Sequence, residues 1–429
     1  MTAANFSGIE PKKLRSFNQL KLEGLGTGQS MEPWHQFRGL VIEQSIYSPY
    51  IRTSLVLHDA ASIFDTRLPI LGEEKLSLKF EDASGKKVKL DSYITNVSPI
   101  EYHEGRKMVG YILEGKSEWA INNPRDKCRY TYEDTPYQDI ASDVASKYLS
   151  KPFDSVDPTI EPPVRYYLQN LTPFQTLELL ARKSWDGGPS LFTTHARLKD
   201  GKEEFHYKNV YKLWEQGPSW KFWVTDAVDE KRELDVRFTN GTKEARVEAI
   251  ERTNSFNSTD LTLSGYDSRS YQHLDLYNKH ITEVVDTGNR SSFAGKELQT
   301  EAFRSKYMSP QVTPENRRLY TMTDTQYNED KYRDKFVMSQ PFIQAMGQNE
   351  ITLQTYGISD LNVGDTCDLQ EVRIDGYEQR KLSKRYSGKW LITHKKDSIG
   401  FDMSYVSKFV LSRESVNFEI DEPEQPIQS

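Results

Sequence analysis

Leu40-Val41-Ile42-Glu43-Gln44-Ser45-Ile46, Ile51 to Asp59, Leu68-Pro69-Ile70-Leu71-Gly72-Glu73-Glu74 and Lys75-Leu76-Ser77-Leu78-Lys79-Phe80 make up the stretch that decides the fold. The first two runs are β-rich. Ala61-Ser62-Ile63-Phe64 is a short turn with helical character, and Lys75 to Phe80 alternates with the period of two of a half-buried strand. Outward from there, Asp82 to Lys86 is a turn cluster, while Val88 to Val97 and Lys107 to Leu113 read as further strands. Together they predict a small twisted β-barrel over residues 36–120. Residues 1–35 hold Lys12, Lys13, Gly24, Gly26 and Gly28 with few apolar side chains, and read as an arm.

A mixed α/β middle domain follows, at 121–231. Thr135-Pro136-Tyr137-Gln138 and Thr172-Pro173-Phe174-Gln175 each carry an N-cap Thr, an N1 Pro and an N3 Gln, which predicts two helix starts. Tyr137, Ile140, Ala141, Val144 and Tyr148 share one face of the first helix; Phe174, Leu177, Ala181 and Trp185 share one face of the second. Leu191 to Leu198 and Glu203 to Tyr207 flank Asp200-Gly201, a type I′ turn pair, so a hairpin is expected. Asn240-Gly241 reads as another tight turn.

A second β-barrel is expected from 232–265 and 347–412, interrupted by an insertion at 266–346. Within the insertion, Thr287 to Asn328 is rich in Gly, Ser, Thr, Asn and charge and reads as partly irregular. A helix at about 329–346 would place Tyr332, Phe336, Ile343 and Met346 on one face, with Pro341 shortening or kinking it. Residues 413–429 read as an acidic tail. The fold class is therefore α+β, predominantly β: two similar small barrels around a mixed middle domain.

Composition narrows the function classes. The chain has 429 residues, enough for two to four domains. Its hydrophobic share of 36%, unchanged if the 24 Tyr are exchanged for the 24 Gly, falls below the usual ~45–50% and points to much polar surface. A net charge of −7 without a basic stripe argues against a protein that binds nucleic acid through its phosphates. Cys128 and Cys367 offer neither a disulfide framework nor zinc spacing. Met1 to Phe6 has no signal-peptide pattern, and no run reaches the ~18 apolar residues of a membrane span, so folding in a reducing cytosol is expected.

No catalytic, cofactor-binding or metal site is expected. Counting back from Asp200-Gly201 places His195 opposite His206; without a third ligand nearby, the pair reads as a cross-strand aromatic contact rather than a zinc site. Glu73-Glu74 and Asp229-Glu230 read as solvated turns. Gly24-Leu25-Gly26-Thr27-Gly28 neither follows a predicted strand nor opens a capped helix, which disfavours a phosphate cradle. Trp214, Trp220, Phe222 and Trp223 could form a sugar platform, but core and interface packing is the stronger reading. Trp220 and Phe222 share one strand face and Trp223 takes the other.

The order of these segments resembles the central baseplate hub proteins of contractile-tailed phages, the late control protein D-like family, across roughly 36–412. Leu68 to Glu74 with the strand after it is similar to that family's first-barrel signature. Thr172 to Leu177, with Leu191-Phe192 and Phe205-His206-Tyr207, is similar to its middle domain. Gly265 to Arg269 with Asp275 to Lys279 resembles a segment of the larger phage hubs. Gly357-Ile358-Ser359-Asp360-Leu361-Asn362-Val363-Gly364-Asp365 resembles the turn leading into the second barrel's closing strands.

The resemblance implies a non-enzymatic homotrimer whose six barrels meet a six-fold tail tube on one side and a three-fold spike on the other, among surrounding baseplate proteins. DNA would pass through its lumen without specific binding. Spike-type β-helix repeats and a lysozyme-like module are missing from the sequence, so the spike is expected to be a separate protein. The competing readings are a glycan-binding tail module and a tail-associated cell-wall hydrolase.

Overall fold

Alternating apolar and polar side chains run through most of the chain, and nearly every such run is a strand. The computed structural model describes residues 13–24, 28–101 apart from several positions between 60 and 73, 109–160, 165–224, 243–252, and 349–413 apart from 375–379, 384 and 385. It also describes 269–275, 280–286, 311–316, Ser339 and Met346.

The N-terminal part is β1 (Ser16–Gly24), β2 (Ser30–Met31), β3 (Phe37–Ser45), β4 (Arg52–Asp59), a one-turn helix α1 (Ile63–Thr66), β5 (Glu74–Glu81), β6 (Lys87–Glu101) and β7 (Val109–Lys116). The middle holds α2 (Glu118–Asn122), β8 (Thr131–Glu133), α3 (Tyr137–Tyr148), β9 (Ser155–Val156), β10 (Arg165–Tyr167), α4 (Pro173–Lys183), β11 (Phe192–Lys199), β12 (Lys202–Asn209) and α5 (Val210–Glu215). Then come β13 (Trp220–Val224), β14 (Glu244–Arg246), β15 (Ala249–Arg252), and a separate group β16 (Arg269–Asp275), β17 (His280–Asp286) and β18 (Gln311–Asn316). The chain closes with β19 (Glu350–Tyr356), β20 (Thr366–Ile374), β21 (Arg380–Leu382), β22 (Gly388–Gly400) and β23 (Tyr405–Ser412).

Hydrogen bonding links most strands into one path, β14-β13-β20-β22-β3-β4-β7-β6-β5-β1-β2, with β22 also carrying β23, β19 and β15. Two hydrophobic cores lie along it. The first joins strands β1 and β3 to β7 with α3, α4 and the β11–β12 hairpin; Leu20, Ile42, Leu55, Leu76, Val144, Leu177 and Phe205 are buried there. The second gathers Leu213, Trp214, Phe222, Leu353, Leu369, Trp390 and Phe409. Each fully buried Leu contributes roughly 1.5–3 kcal/mol relative to exposure.

Several local expectations are met. Asp59 accepts from the backbone N–H groups of Ile63 and Phe64, both at 2.9 Å, and so starts α1. Thr172 and Gln175 form a reciprocal capping box at α4. Lys199 pairs with Lys202 across Asp200-Gly201, whose φ values of 47° and 74° are those of a type I′ turn.

Others are corrected. At α3 there is no capping box: Thr135 donates its hydroxyl to the Glu133 carbonyl, and Gln138 instead accepts from the hydroxyl of Thr159 at 2.6 Å. The 1–35 arm contains β1, which pairs with β5 from Ser16↔Glu81 to Gly24↔Glu74 because Leu20 and Leu22 face the first core. The glycine cluster starting at Gly24 therefore does follow a strand; residues 25–27 lie outside the description.

The boundary at 231 also moves. α5 packs in the second core, and β13 runs parallel to β20 with Phe222 opposite Leu369, so this part belongs with the second sheet. Inside the 266–346 insertion, β16 pairs antiparallel with β17 and parallel with β18, so ordered strand pairing reaches into the stretch read as irregular. The Asn240-Gly241 turn, Asp229-Glu230, Gly265 to Ser268 and nearly all of the 329–346 helix lie outside the described residues, though Ser339 and Met346 are buried.

Gly357 gives a direct test of this packing, because a Cβ there would sit 1.9 Å from the Tyr405 ring. Gly357→Ala is expected to lower unfolding stability by about 1–3 kcal/mol in urea melts through overpacking. Gly217→Ala, where a Cβ meets nothing within 4 Å, serves as the control. Equal midpoints for both variants would contradict the packing described.

Candidate functional site

The two cores meet where β22 of the second sheet pairs antiparallel with β3 of the first, from His394↔Ser45 to Gly400↔Gly39. On β22 the residues Leu391, Thr393, Lys395, Asp397 and Ile399 all point inward. Two of these five are charged. The Lys395 ammonium lies 3.0 Å from Asp397, with the side chains 1% and 2% exposed. It also donates to the Ile358 carbonyl at 2.7 Å and to Asn362 Oδ1 at 3.5 Å. Asp397 accepts from the Ser407 hydroxyl at 2.5 Å. Burial pushes the Asp397 carboxyl upward, opposed by Lys395 and then by Ser407.

The turn running from Gly357 to Asp365 is held from every side. Ser359 donates its hydroxyl to the buried Asp82 carboxylate at 2.5 Å, which ties it to the β5–β6 turn. Asp360 pairs with Lys86 at 3.2 Å and with Lys243 at 3.8 Å. Gln44 of β3 donates to Asn362 at 3.3 Å while its carbonyl oxygen accepts from the Leu198 N–H at 2.9 Å. Asp365 takes the Arg197 guanidinium at 3.1 Å and caps the Asn362 N–H at 2.9 Å. Gly364 has φ +83°, the left-handed turn conformation that favours glycine.

The β11–β12 hairpin wedges into this seam. Gly201 O accepts from Lys89 N–H at 2.9 Å, and a Cβ on Gly201 would lie 2.0 Å from the Lys87 carbonyl oxygen. His195 does face His206, with ring centroids 5.4 Å apart and planes 29° from parallel. Glu204 lies 2.8 Å from His206 Nε2 and 3.4 Å from Arg197 Nε. Burial, then the neighbouring His206, Arg197 and Lys208, hold His195 well below the ordinary imidazole range. Burial, then Arg197, lowers His206 to about 4, against the pull of Glu204. Among the described residues no group of three or more His, Cys, Asp or Glu is placed to hold a metal ion.

The other singled-out residues fall into structural places. Trp214, Trp220 and Phe222 are buried in the second core, so their rings are unavailable as a sugar platform. Trp223 is half-buried and donates to Glu244 at 3.3 Å. Glu74 is not a solvated turn residue: it is buried and accepts from the Leu71 and Gly72 N–H groups at 2.7 and 3.0 Å. Glu73 lies outside the described residues.

A cleft of about 360 Å³ between β6, α2 and β12 is lined by Asp91, Glu118, Trp119, Lys151 and Glu203, among others. Burial raises the Glu203 carboxyl to about 8, opposed by the Ser117 hydroxyl, which donates at 3.2 Å.

Sequence reasoning found the histidine pair but missed Gln44, Asp82, Arg197, Lys395 and Asp397. One signal was available. Strand alternation through Leu391, Thr393 and Ile399 puts positions 395 and 397 in phase with the inward face, although a charge at each argues the opposite until their partners are known.

This predominantly β fold is similar to that of solved phage tail proteins. The chain is similar to the 43 kDa tail protein of prophage MuSo2 from Shewanella oneidensis, with TM-score 0.55 and 11% identity, covering 92% of this chain and 98% of that one. It is similar to the same degree to a tail protein from Neisseria meningitidis MC58, with TM-score 0.55 and 9% identity, covering 92% and 96%. No family model and no curated protein matches the sequence. The tail-protein fold expected from the resemblance is thus met. No helix among the described residues is long and apolar enough to cross a membrane.

Two measurements test the electrostatics. Glu203 keeps its proton in the folded state up to about pH 8, whereas the unfolded carboxyl ionises near its ordinary 4.5. Folding therefore takes up a proton in that window, and stability falls as pH rises through it. Glu203→Gln should gain stability over wild type from pH 5 to pH 9 in thermal melts; a gap independent of pH would refute the assignment.

Lys395→Met leaves Asp397 buried and unpaired, which should cost about 3–5 kcal/mol. Lys395→Met with Asp397→Leu should recover much of that loss. A double variant as unstable as the single one would show that the pair itself is not what the site requires.

Proposed function

We propose that this chain is a structural, non-enzymatic protein of a phage-type tail: a homotrimeric baseplate hub joining a six-fold tail tube to a three-fold central spike. The observation that carries this reading is the fold shared, over 92% of the chain, with two phage tail proteins. The strand path supports it further. It falls into two β-built halves with separate cores, joined edge to edge through β22 and β3. Two barrel-like units per chain would let three copies present six similar units around an axis, and closed symmetry of this kind buries sheet edges between neighbours.

In this reading the spike and the tube are separate partner proteins, and other baseplate proteins surround the ring. The working location is the virion tail, after synthesis in the host cytoplasm. DNA leaves through the lumen without specific binding, in keeping with a net charge of −7. The buried charged seam has a mechanical role here. It fixes the angle between the two halves, which a symmetry adaptor needs to hold constant.

Light scattering on the purified protein should give a mass three times that of the 49.7 kDa chain, and averaged images should show six similar lobes in a three-fold ring. A protein that stays monomeric at micromolar concentration and degrades peptidoglycan would overturn the reading in favour of a wall hydrolase.

A further inference from the structure

Lysines gather where β5 and β6 meet the tip of the β11–β12 hairpin. In the β5–β6 register Lys79 stands directly opposite Lys89, and across the hairpin turn Lys199 stands directly opposite Lys202. The two pairs are neighbours. Gly201 O accepts from the Lys89 N–H at 2.9 Å, and a Cβ on Gly201 would lie 2.0 Å from the Lys87 carbonyl oxygen. Lys79, Lys87, Lys89, Lys199 and Lys202 are all exposed, and none forms a salt bridge among the described residues. Like charges directly opposite on a sheet repel, so each pair weakens the ladder that carries it.

The nearby carboxylates are already engaged. Glu81 is held by Arg15 and Asp91 by Lys75, each at 3.2 Å. Lys86 takes Asp360 at 3.2 Å and Asp200 at 3.9 Å. Asp365, whose field reaches Lys199, is bound by Arg197. In the cleft beside Lys89 and Lys202, Glu118 is hydrogen-bonded by Tyr93, Lys151 is matched by Asp154, and Glu203 keeps its proton at neutral pH. Five lysines thus stand uncompensated on a chain whose net charge is −7. No single stretch of sequence shows this, because four strands supply them.

The complementary charge is found at the end of the chain. Glu414, Glu419, Asp421, Glu422 and Glu424 put five carboxylates into residues 414–429, a segment without Lys or Arg. Its reach is sufficient. β23 carries the chain from Tyr405, whose carbonyl accepts from the Gly357 N–H, to Ser412, roughly 26 Å along an eight-residue strand. The sixteen residues after Arg413 can span up to ~55 Å. The lysine face borders the Gly357–Asp365 turn through the Lys86–Asp360 pair.

We propose that this lysine face is the docking surface of the chain's acidic tail, residues 414–429, whose five carboxylates neutralise Lys79, Lys87, Lys89, Lys199 and Lys202. Docked there, the tail screens both like-charge pairs and keeps other polyanions off the face. The contact does not depend on the hub reading, since both surfaces belong to this chain.

Zero-length carbodiimide cross-linking of the full chain, read by peptide mass spectrometry, tests the docking. Cross-links from the tail carboxylates should concentrate on the five lysines. Their yield should fall at least fivefold in about 1 M salt, where the Debye length shrinks to ~3 Å. Tail cross-links scattered over the other lysines, or absent from the face, would falsify the proposal. Heparin serves as a polyanion probe in a second arm. Glu414→Gln, Glu419→Gln, Asp421→Asn, Glu422→Gln and Glu424→Gln together should tighten heparin binding at least tenfold by uncovering the face. Affinity equal to wild type overturns the docking and leaves the face open to an external polyanion such as nucleic acid. Asp126→Asn, Asp134→Asn, Asp139→Asn, Glu215→Gln and Glu251→Gln remove the same charge from exposed positions elsewhere and should not tighten it. An equal gain in that control is an effect of bulk charge and removes the docking.

Discussion

One backbone pairing holds this molecule together: β22 against β3. Each of these strands would otherwise end its own sheet, with a row of unpaired N–H and C=O groups. Pairing them satisfies both edges at once and brings two hydrophobic cores into register. The cost appears in the side chains. The inward face of β22 carries Lys395 and Asp397 into the seam, and an ion pair so deeply buried does not by itself stabilise a fold. What such a pair can do is penalise every wrong register, since sliding β22 by one residue would expose the pair and bury Lys396 in its place.

The Gly357–Asp365 turn extends that logic to the rest of the chain. It touches the β5–β6 turn through Ser359 and Asp82, β3 through Asn362 and Gln44, the hairpin through Asp365 and Arg197, and β22 through the Ile358 carbonyl. A nine-residue turn reaches this many elements only because Gly357 lets the Tyr405 ring pack against its backbone and Gly364 bends the chain back. The hairpin stands between the two cores, with Ala196, Leu198, Phe205 and Tyr207 buried in the first and Arg197 reaching Asp365 of the turn.

Side chains that stand out in the sequence are taken up by contacts within the chain. In the cleft between β6, α2 and β12, Asp91 and Glu203 of the lining already answer to Lys75 and Ser117 beside it. Trp214, Trp220 and Phe222, which looked suited to stacking on sugar, fill the second core instead.

The sequence by itself determined the local elements whose signals lie within a few residues. The β3–β4–β5 alternation, the Thr172–Gln175 box, the Asp200-Gly201 turn and the His195–His206 register depend on period and turn chemistry, and all can be read along the chain. Position 135 shows the limit of that reading. The same Thr-Pro-x-Gln letters make no cap there, because Thr159, twenty-four positions away, captures the glutamine. Tertiary structure alone decided that β1 joins the first sheet, that α5 and β13 leave the middle layer for the second core, and that Lys395, Asp397, Glu74 and Asp82 are interior. The physical reason is common to these cases. A charged side chain is legible as buried only when its partners are known, and those partners lie on other strands.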